Sequence, residues 1–308
     1  MEAIRSLEAL EKAVKGGPRM TLAVAAGEDP ATIDAVARGV LDGLIRVILV
    51  GDENRINIQA KQHSDEFAGM AEVLHVPDDR ETAKTAVQLV HDGKADILMK
   101  GLISTDTFMR AVLNRDTGLL PEKGLLSHVA VMEVSTYPKL ILVSDAAIIP
   151  NPTMDEKVRI LNYAVKVAES LGIDMPRVAL VSAAEKINFK LQSSIDAAVI
   201  KGMADRHQIS GAIVDGPLAL DVSLSPEHCK IKGLESPING EADILVFPNI
   251  ETANTFYKSV TILSHGTSAS VVVGASAPIV LASRADSDDS KFYSIVLAAR
   301  MAASRKNG

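Results

Sequence analysis

The side chains best suited to chemistry gather near the C-terminus, where an apolar run ends in Ser283-Arg284 and Asp286, Asp288 and Asp289 follow within five positions. A hydroxyl beside a guanidinium, with its rigid fork of N–H donors, makes a seat for a phosphate group. A carboxylate held next to that seat could act as a general base. The same string also reads as the acidic start of a helix, where carboxylates favour the positive end of the dipole. A second group lies upstream: Lys100 and Gly101 close an apolar run, and Ser104 or Thr105 is suited to cap a helix that carries Arg110. Exposed amides with a lysine and an arginine would form a phosphate pocket, whereas the bland alternative is a capped surface helix with solvated charges. Two further carboxylates end apolar runs: Asp145, ahead of Pro150 and Pro152, and Asp215, ahead of Gly216 and Pro217. Each reads as a ligand contact at a strand end or as the organiser of a turn.

Positioning such groups requires a scaffold, and the apolar pattern suggests one. Short, nearly continuous apolar runs at 20–26, 47–50, 97–99, 139–144, 178–182, 211–214, 244–247 and 278–281 predict buried, mainly parallel strands. Between them, 30–42, 81–91, 155–171 and 193–204 carry helical spacing, and a last helix is expected over about 291–304. The alternation is that of an α/β protein with βαβ connections. A length of 308 residues suits two domains, and a change near 126–128 follows a loop rich in glycine and proline. The phrases Gly93-Lys-Ala-Asp96 and Gly240-Glu-Ala-Asp243 echo each other ahead of apolar runs, as two similarly built domains would.

Composition narrows the function classes. A formal net charge of −7, with no long basic tract and only 3% aromatic residues, argues against a nucleic-acid partner. No run reaches the roughly 18 apolar residues of a membrane span, and the acidic N-terminal stretch does not read as a signal peptide. Cys229 is the only cysteine, which rules out an internal disulfide and favours a reducing, cytoplasmic setting. The seven histidines are dispersed; His128 and His265 are the better cleft candidates, and no metal-binding spacing is present. Neither a GxGxxG nor a GxxxxGK[ST] pattern occurs, so no nucleotide-loop motif is on offer.

Taken in order, residues 98–110, 144–153, 214–221 and 277–287 resemble the phosphate acyltransferase family that contains phosphate acetyltransferases and phosphate butyryltransferases. The resemblance runs nearly end to end, and Lys100-Gly101 with the Ser-Arg-Ala-Asp-Ser ending is more similar to the butyryl branch. It implies an α/β fold of two domains separated by a cleft, like isocitrate and isopropylmalate dehydrogenases. On that pattern residues 1–126 plus 277–308 form the first domain and 127–276 an inserted second domain. The implied activity is reversible transfer of a short-chain acyl group, butyryl above others, between coenzyme A and inorganic phosphate. No tightly bound cofactor or metal is implied; acyl-CoA, phosphate and acyl phosphate are substrates, and a homodimer or other homo-oligomer is expected. Ser283 and Arg284 would bind phosphate or steady the transition state, with Arg110 and Thr105 at the same pocket and Lys100, Gly101, Asp145 and Asp215 contacting substrate. The family's base falls six residues beyond the arginine, which lands here on Ser290, so the role passes to Asp286, Asp288 or Asp289. The readings that compete are a phosphate acetyltransferase, a metal- and NAD(P)-dependent decarboxylating dehydrogenase, and a noncatalytic protein that binds CoA or acyl phosphate.

Overall fold

Local chemistry starts and stops the elements of the computed structural model, which describes residues 2–283 and 286–307. Pro30 opens the helix Pro30–Leu41 while the Asp29 carboxylate accepts the Thr32 N–H at 3.0 Å. Thr153 and Glu156 form a reciprocal capping box at the head of Met154–Ser170. The strands, in chain order, are β1 (Met20–Ala25), β2 (Ile45–Gly51), β3 (Glu72–His75), β4 (Ile97–Lys100), β5 (Ser127–Glu133), β6 (Ile141–Ser144), β7 (Arg177–Val181), β8 (Ile213–Leu218), β9 (Ile244–Val246), β10 (Thr267–Val273) and β11 (Ile279–Val280).

The chain divides into two compact units. One comprises Leu7–Leu126 and Ser268–Gly308. Its strands run in the order β3-β2-β1-β4-β11-β10, parallel except for the antiparallel pair β10–β11. The chain steps outward from β1 to β2 to β3 and then returns to lay β4 against the opposite side of β1. That reversal between β1 and β4 is a topological switch point, where crossover helices part and leave a crevice at the carboxyl ends of the strands. The other unit comprises Met1–Ser6 and Ser127–Thr267. Its order is β5-β6-β9-β7-β8, with β5–β6 antiparallel and the other pairs parallel. The antiparallel pairs depart from the mainly parallel expectation because burial on both faces makes a strand apolar whichever way it runs.

The echoed phrases perform the same task in each unit. Gly93 and Gly240 adopt left-handed φ values of 71° and 68° and turn the chain toward the next strand. Three residues on, Asp96 accepts the Thr21 N–H and Asp243 accepts the Arg177 N–H, both at 2.9 Å. Each aspartate thereby ties its turn to a strand that pairs with the one it precedes, β1 beside β4 and β7 beside β9.

Candidate active site

Lys100 ends β4 and is 9% exposed; its ammonium donates to the carbonyls of Gly101 at 3.1 Å and Ile103 at 3.2 Å. Gly101 follows because nothing larger fits: a Cβ there would lie 2.1 Å from the Ala26 carbonyl oxygen. That close approach lets the Gly101 and Leu102 N–H groups donate to Ala25 and Ala26 at 2.8 and 2.7 Å, so β1 and the chain leaving β4 stay joined past the strand end. Ser104 then caps the helix Thr105–Val112, its hydroxyl accepting the Thr107 N–H at 3.1 Å.

On the other side of β4, β11 pairs in parallel, with Val280 opposite Met99. This register carries Leu281, Ala282 and Ser283 out of the sheet beside Lys100. Lys100, Ile103, Ser104, Thr105, Leu281, Ala282 and Ser283 line one cavity of about 410 Å³. An ammonium and three hydroxyls thus share a pocket with aliphatic wall residues, a combination suited to an anion joined to a short apolar group.

The segment after Ser283 closes on itself. The Asp286 carboxylate accepts the Ser283 N–H at 2.8 Å, the Asp286 N–H donates to the Ser283 carbonyl at 3.1 Å, and the Lys291 ammonium donates to the Asp286 carbonyl at 2.9 Å. Arg284, the centre of the sequence-based assignment, lies outside the described residues. The last helix begins earlier than expected, as Asp288–Asn307, and places Asp288 and Asp289 in its first turn. The acidic helix start and the candidate base are therefore one stretch of chain. Asp289 forms an ion pair with Arg38 at 2.9 Å, and that guanidinium lies 3.6 Å from the centre of the Phe292 ring. Asp288 is 74% exposed and stands 3.6 Å from the Lys291 ammonium. Ser290, at the position of the family's base, is buried, and its hydroxyl meets Ser287 at 3.1 Å and Ser268 at 3.4 Å.

The remaining candidates sit elsewhere. Arg110 is exposed, pairs with Asp106 at 2.9 Å, and lines a separate cavity of about 430 Å³ with Arg80, Lys84, Thr107 and Asn114. Thr105 and Arg110 thus belong to different cavities that share the helix Thr105–Val112. Asp145 and Asp215 belong to the other unit. The buried Asp145 carboxylate accepts the N–H groups of His128, Ala147 and Ile148 at 2.8–3.0 Å. Asp215 accepts the Gly216 N–H at 2.9 Å and the Ser236 hydroxyl at 2.5 Å. Asp145 organises the turn after β6, whereas Asp215 lies inside β8, which runs on through Gly216 and Pro217 to Leu218, so the expected turn there is strand instead. Sequence reasoning passed over Arg80, Lys84, Ile103, Leu281 and Arg38. Arg80 and Lys84 are one turn apart on the helix Asp79–His91, a spacing that signals a shared face. Arg38 carries no local signal at all.

Cys229 is 2% exposed, its thiol donates to the Val222 carbonyl at 3.2 Å, and burial pushes the thiol pKa up. A buried thiol of that kind is a packing residue, as its sequence context suggests. Among the described residues no cluster of three or more His, Cys, Asp or Glu side chains is arranged to hold a metal ion, and no helix is long and apolar enough to cross a membrane.

Comparison with known proteins places this geometry in context. The family model described as phosphate acetyl/butaryl transferase matches residues 75–299. The chain is 42% identical to the phosphate butyryltransferase of Clostridium acetobutylicum, over 98% of this chain and 100% of the relative. It is 39% identical to the phosphate acetyltransferase of Thermotoga maritima, over 94% and 98%. Among solved structures, a branched-chain phosphotransacylase from Enterococcus faecalis superposes with a TM-score of 0.81 at 34% identity, covering 92% of this chain and 99% of that one. A phosphotransacetylase from Streptococcus pyogenes gives 0.81 at 21% identity, covering 96% and 99%. These likenesses correct the expected isocitrate/isopropylmalate dehydrogenase-like fold. A 4-hydroxythreonine-4-phosphate dehydrogenase from Klebsiella pneumoniae reaches only 0.55, at 13% identity with 92% and 100% covered, so the fold is that of the phosphotransacylases. The alternation of helices and strands specifies the α/β layers; strand order and pairing sense, which separate one such fold from another, are set by long-range contacts.

Proposed function

From the premise that the chain belongs to the phosphate acetyl/butaryl transferase family, we propose that the cavity at the ends of β4 and β11 seats phosphate against the carbonyl of a short-chain acyl-CoA. The protein is an enzyme that transfers an acyl group reversibly between coenzyme A and phosphate. A phosphate oxygen attacks the thioester carbon, the C–O bond forms, the C–S bond breaks, and the sulfur leaves with the proton that phosphate gives up. Negative charge builds on the carbonyl oxygen along the way, and fixed donors that meet it there lower the barrier. The Ser283 and Thr105 hydroxyls, the Lys100 ammonium and the Arg284 guanidinium are our assignment for those donors. The single observation that carries the reading is that Ser283, distant in sequence, lines one cavity with Lys100, Ser104 and Thr105 at the ends of β4 and β11. Arg110, with Arg80 and Lys84, lines the neighbouring cationic cavity, which suits the phosphates of the CoA nucleotide.

In the reverse direction the CoA thiol must lose its proton. The Ser283 N–H reaches Asp286 at 2.8 Å and Arg38 reaches Asp289 at 2.9 Å, whereas the cation beside Asp288, Lys291, stands at 3.6 Å, so we assign the base to Asp288. Model carboxylates and model thiols differ in pKa by roughly 4 to 5 units, so this proton transfer needs the charge of the bound substrate to assist it. Asp288→Asn is expected to slow acyl-CoA formation from acyl phosphate and CoA by about tenfold or more, as loss of a general base does. A rate within threefold of the parent returns the role to Asp286 or Asp289.

The acyl group we favour is butyryl, supported by the Lys100-Gly101 signature and the similarity to butyryl-transferring relatives. We also read the working protein as a cytoplasmic homo-oligomer, an expectation drawn from the family resemblance and the lone cysteine. The deciding experiment is phosphate-dependent CoA release across acetyl-, propionyl-, butyryl- and isobutyryl-CoA. Folded protein that turns over none of them would sink the assignment. Highest kcat/KM with acetyl-CoA would keep the reaction and overturn the butyryl preference.

A further inference from the structure

The cavity that holds the candidate phosphate groups has a second character. Alongside Lys100, Ser104, Thr105 and Ser283, its lining includes the apolar Ile103, Leu281 and Ala282. Acyl phosphate and thioester carbonyl need charge and hydrogen bonds, whereas the alkyl tail of an acyl group gains only from apolar surface removed from water. We propose that Leu281, with Ile103 beside it in the wall, is the gauge that sets acyl-chain length. The inference rests on the acyltransferase reading and extends it to the tail of the substrate.

The two residues differ in burial: Ile103 is buried and Leu281 half-buried. Ile103 is 2% exposed, and its carbonyl accepts the Lys100 ammonium at 3.2 Å, so the main chain behind that side chain is held by the same lysine that faces the anion. Leu281 follows β11 directly, is half-buried, and stands two positions before Ser283. Ala282, between them in sequence, adds only a Cβ and lines the same cavity. A change in Leu281 therefore alters cavity length without touching the Ser283 hydroxyl or the Lys100 ammonium. One methylene in an apolar pocket changes kcat/KM by about 10- to 200-fold at most, so even a single side chain can separate acetyl from butyryl.

The test compares Leu281→Phe, Leu281→Ala and Ile103→Val in the full-length protein, each checked for folding by thermal melting. Leu281→Phe fills the wall and is expected to lower the butyryl-to-acetyl ratio of kcat/KM by about fivefold or more. Leu281→Ala lengthens the cavity and is expected to raise the hexanoyl-to-butyryl ratio by about the same factor. Ile103→Val removes one methyl group and should move selectivity in the direction of Leu281→Ala, which keeps the inference testable if a Leu281 variant fails to fold. The KM for phosphate should stay within threefold in all of them. Shifts below fivefold in every folded Leu281 variant, or in Ile103→Val below twofold where neither folds, would overturn the gauge while leaving acyl transfer intact. A parent protein inactive on every thioester would instead remove the acyltransferase reading, and this inference with it.

Discussion

Arg284→Ala is expected to lower phosphate-dependent turnover more than tenfold, equivalent to over ~1.4 kcal/mol of transition-state stabilisation. The argument is one of charge and geometry. Phosphate arrives with negative charge, and more develops on the thioester oxygen as the new bond forms. A guanidinium offers paired N–H donors that hold a tetrahedral oxyanion in a fixed orientation. Removing a single donor aimed at such an oxygen in other enzymes costs about 100- to 1,000-fold, and here Ser283, Thr105 and Lys100 would remain to soften the loss. Arg284→Lys keeps the charge without the planar fork, so it should fall between parent and alanine variant. Steady-state kinetics with separate phosphate and acyl-CoA titrations distinguish the outcomes. A fall in kcat marks a contact that strengthens in the transition state, and a rise in the phosphate KM alone marks uniform binding. Kinetics within twofold of the parent would reject the central role.

Gly101→Ala should cost a large share of stability for a single added methyl group. Its Cβ would stand 2.1 Å from the Ala26 oxygen, 2.7 Å from the Ala26 carbonyl carbon and 3.0 Å from the Ala25 oxygen. All three are backbone atoms, so no side chain can swing aside. Relief requires β4 to move away from β1, which breaks the Gly101 and Leu102 hydrogen bonds to Ala25 and Ala26. Overpacking costs about 1–3 kcal/mol, and each lost backbone bond adds about 1 kcal/mol. A total of about 3 kcal/mol or more corresponds to a melting temperature lower by about 6 °C or more for a chain of this size. Gly69→Ala is the control: it lies in the helix Asp65–Met70, meets nothing within 4 Å, and adds a better helix former. Its melting temperature should hold or rise slightly. A Gly101→Ala transition within 2 °C of the parent would mean that the close approach of the two chains is not as described. Activity should fall alongside stability, because Lys100 and Ser104 flank the displaced peptide.

Much of the scaffold was legible because its signals are short-range. The apolar runs at 20–26, 97–99 and 278–281 became β1, β4 and β11, and the helix capped by Ser104 carries Arg110 as expected. The echoed Gly93 and Gly240 turns each proved to be a left-handed glycine followed by an aspartate tether. The strand Thr267–Val273 was not foreseen, since its first half is polar and only its last three residues form an apolar run. Ser127–Glu133, just past the expected domain change, was not among the predicted strands, and Glu72–His75, partly exposed throughout, has no strand pattern to read. Of the two readings of the opening motif, the structure shows the acidic helix start. Asp288 and Asp289 are the acidic first turn of the last helix, and that turn begins five residues beyond Ser283.

Residue types and spacing alone pointed to a seat for phosphate, through a Ser-Arg pair and a strand-ending Lys-Gly, while acyl transfer was implied only by the family resemblance. They did so because hydrogen-bonding capacity, charge and glycine's small size are properties of each residue wherever it lies. Tertiary structure decided which of those residues meet. The parallel register of β11 against β4 brings Leu281, Ala282 and Ser283 to Lys100 across 180 residues of chain, and no local pattern encodes that pairing. It also took Asp289 to Arg38, sent Arg110 to a different cavity from Thr105, and spent the carboxylates of Asp145 and Asp215 on nearby backbone and hydroxyl donors. Each of these outcomes depends on strand order and long-range packing, whose energies are shared over many contacts and leave no mark at a single position.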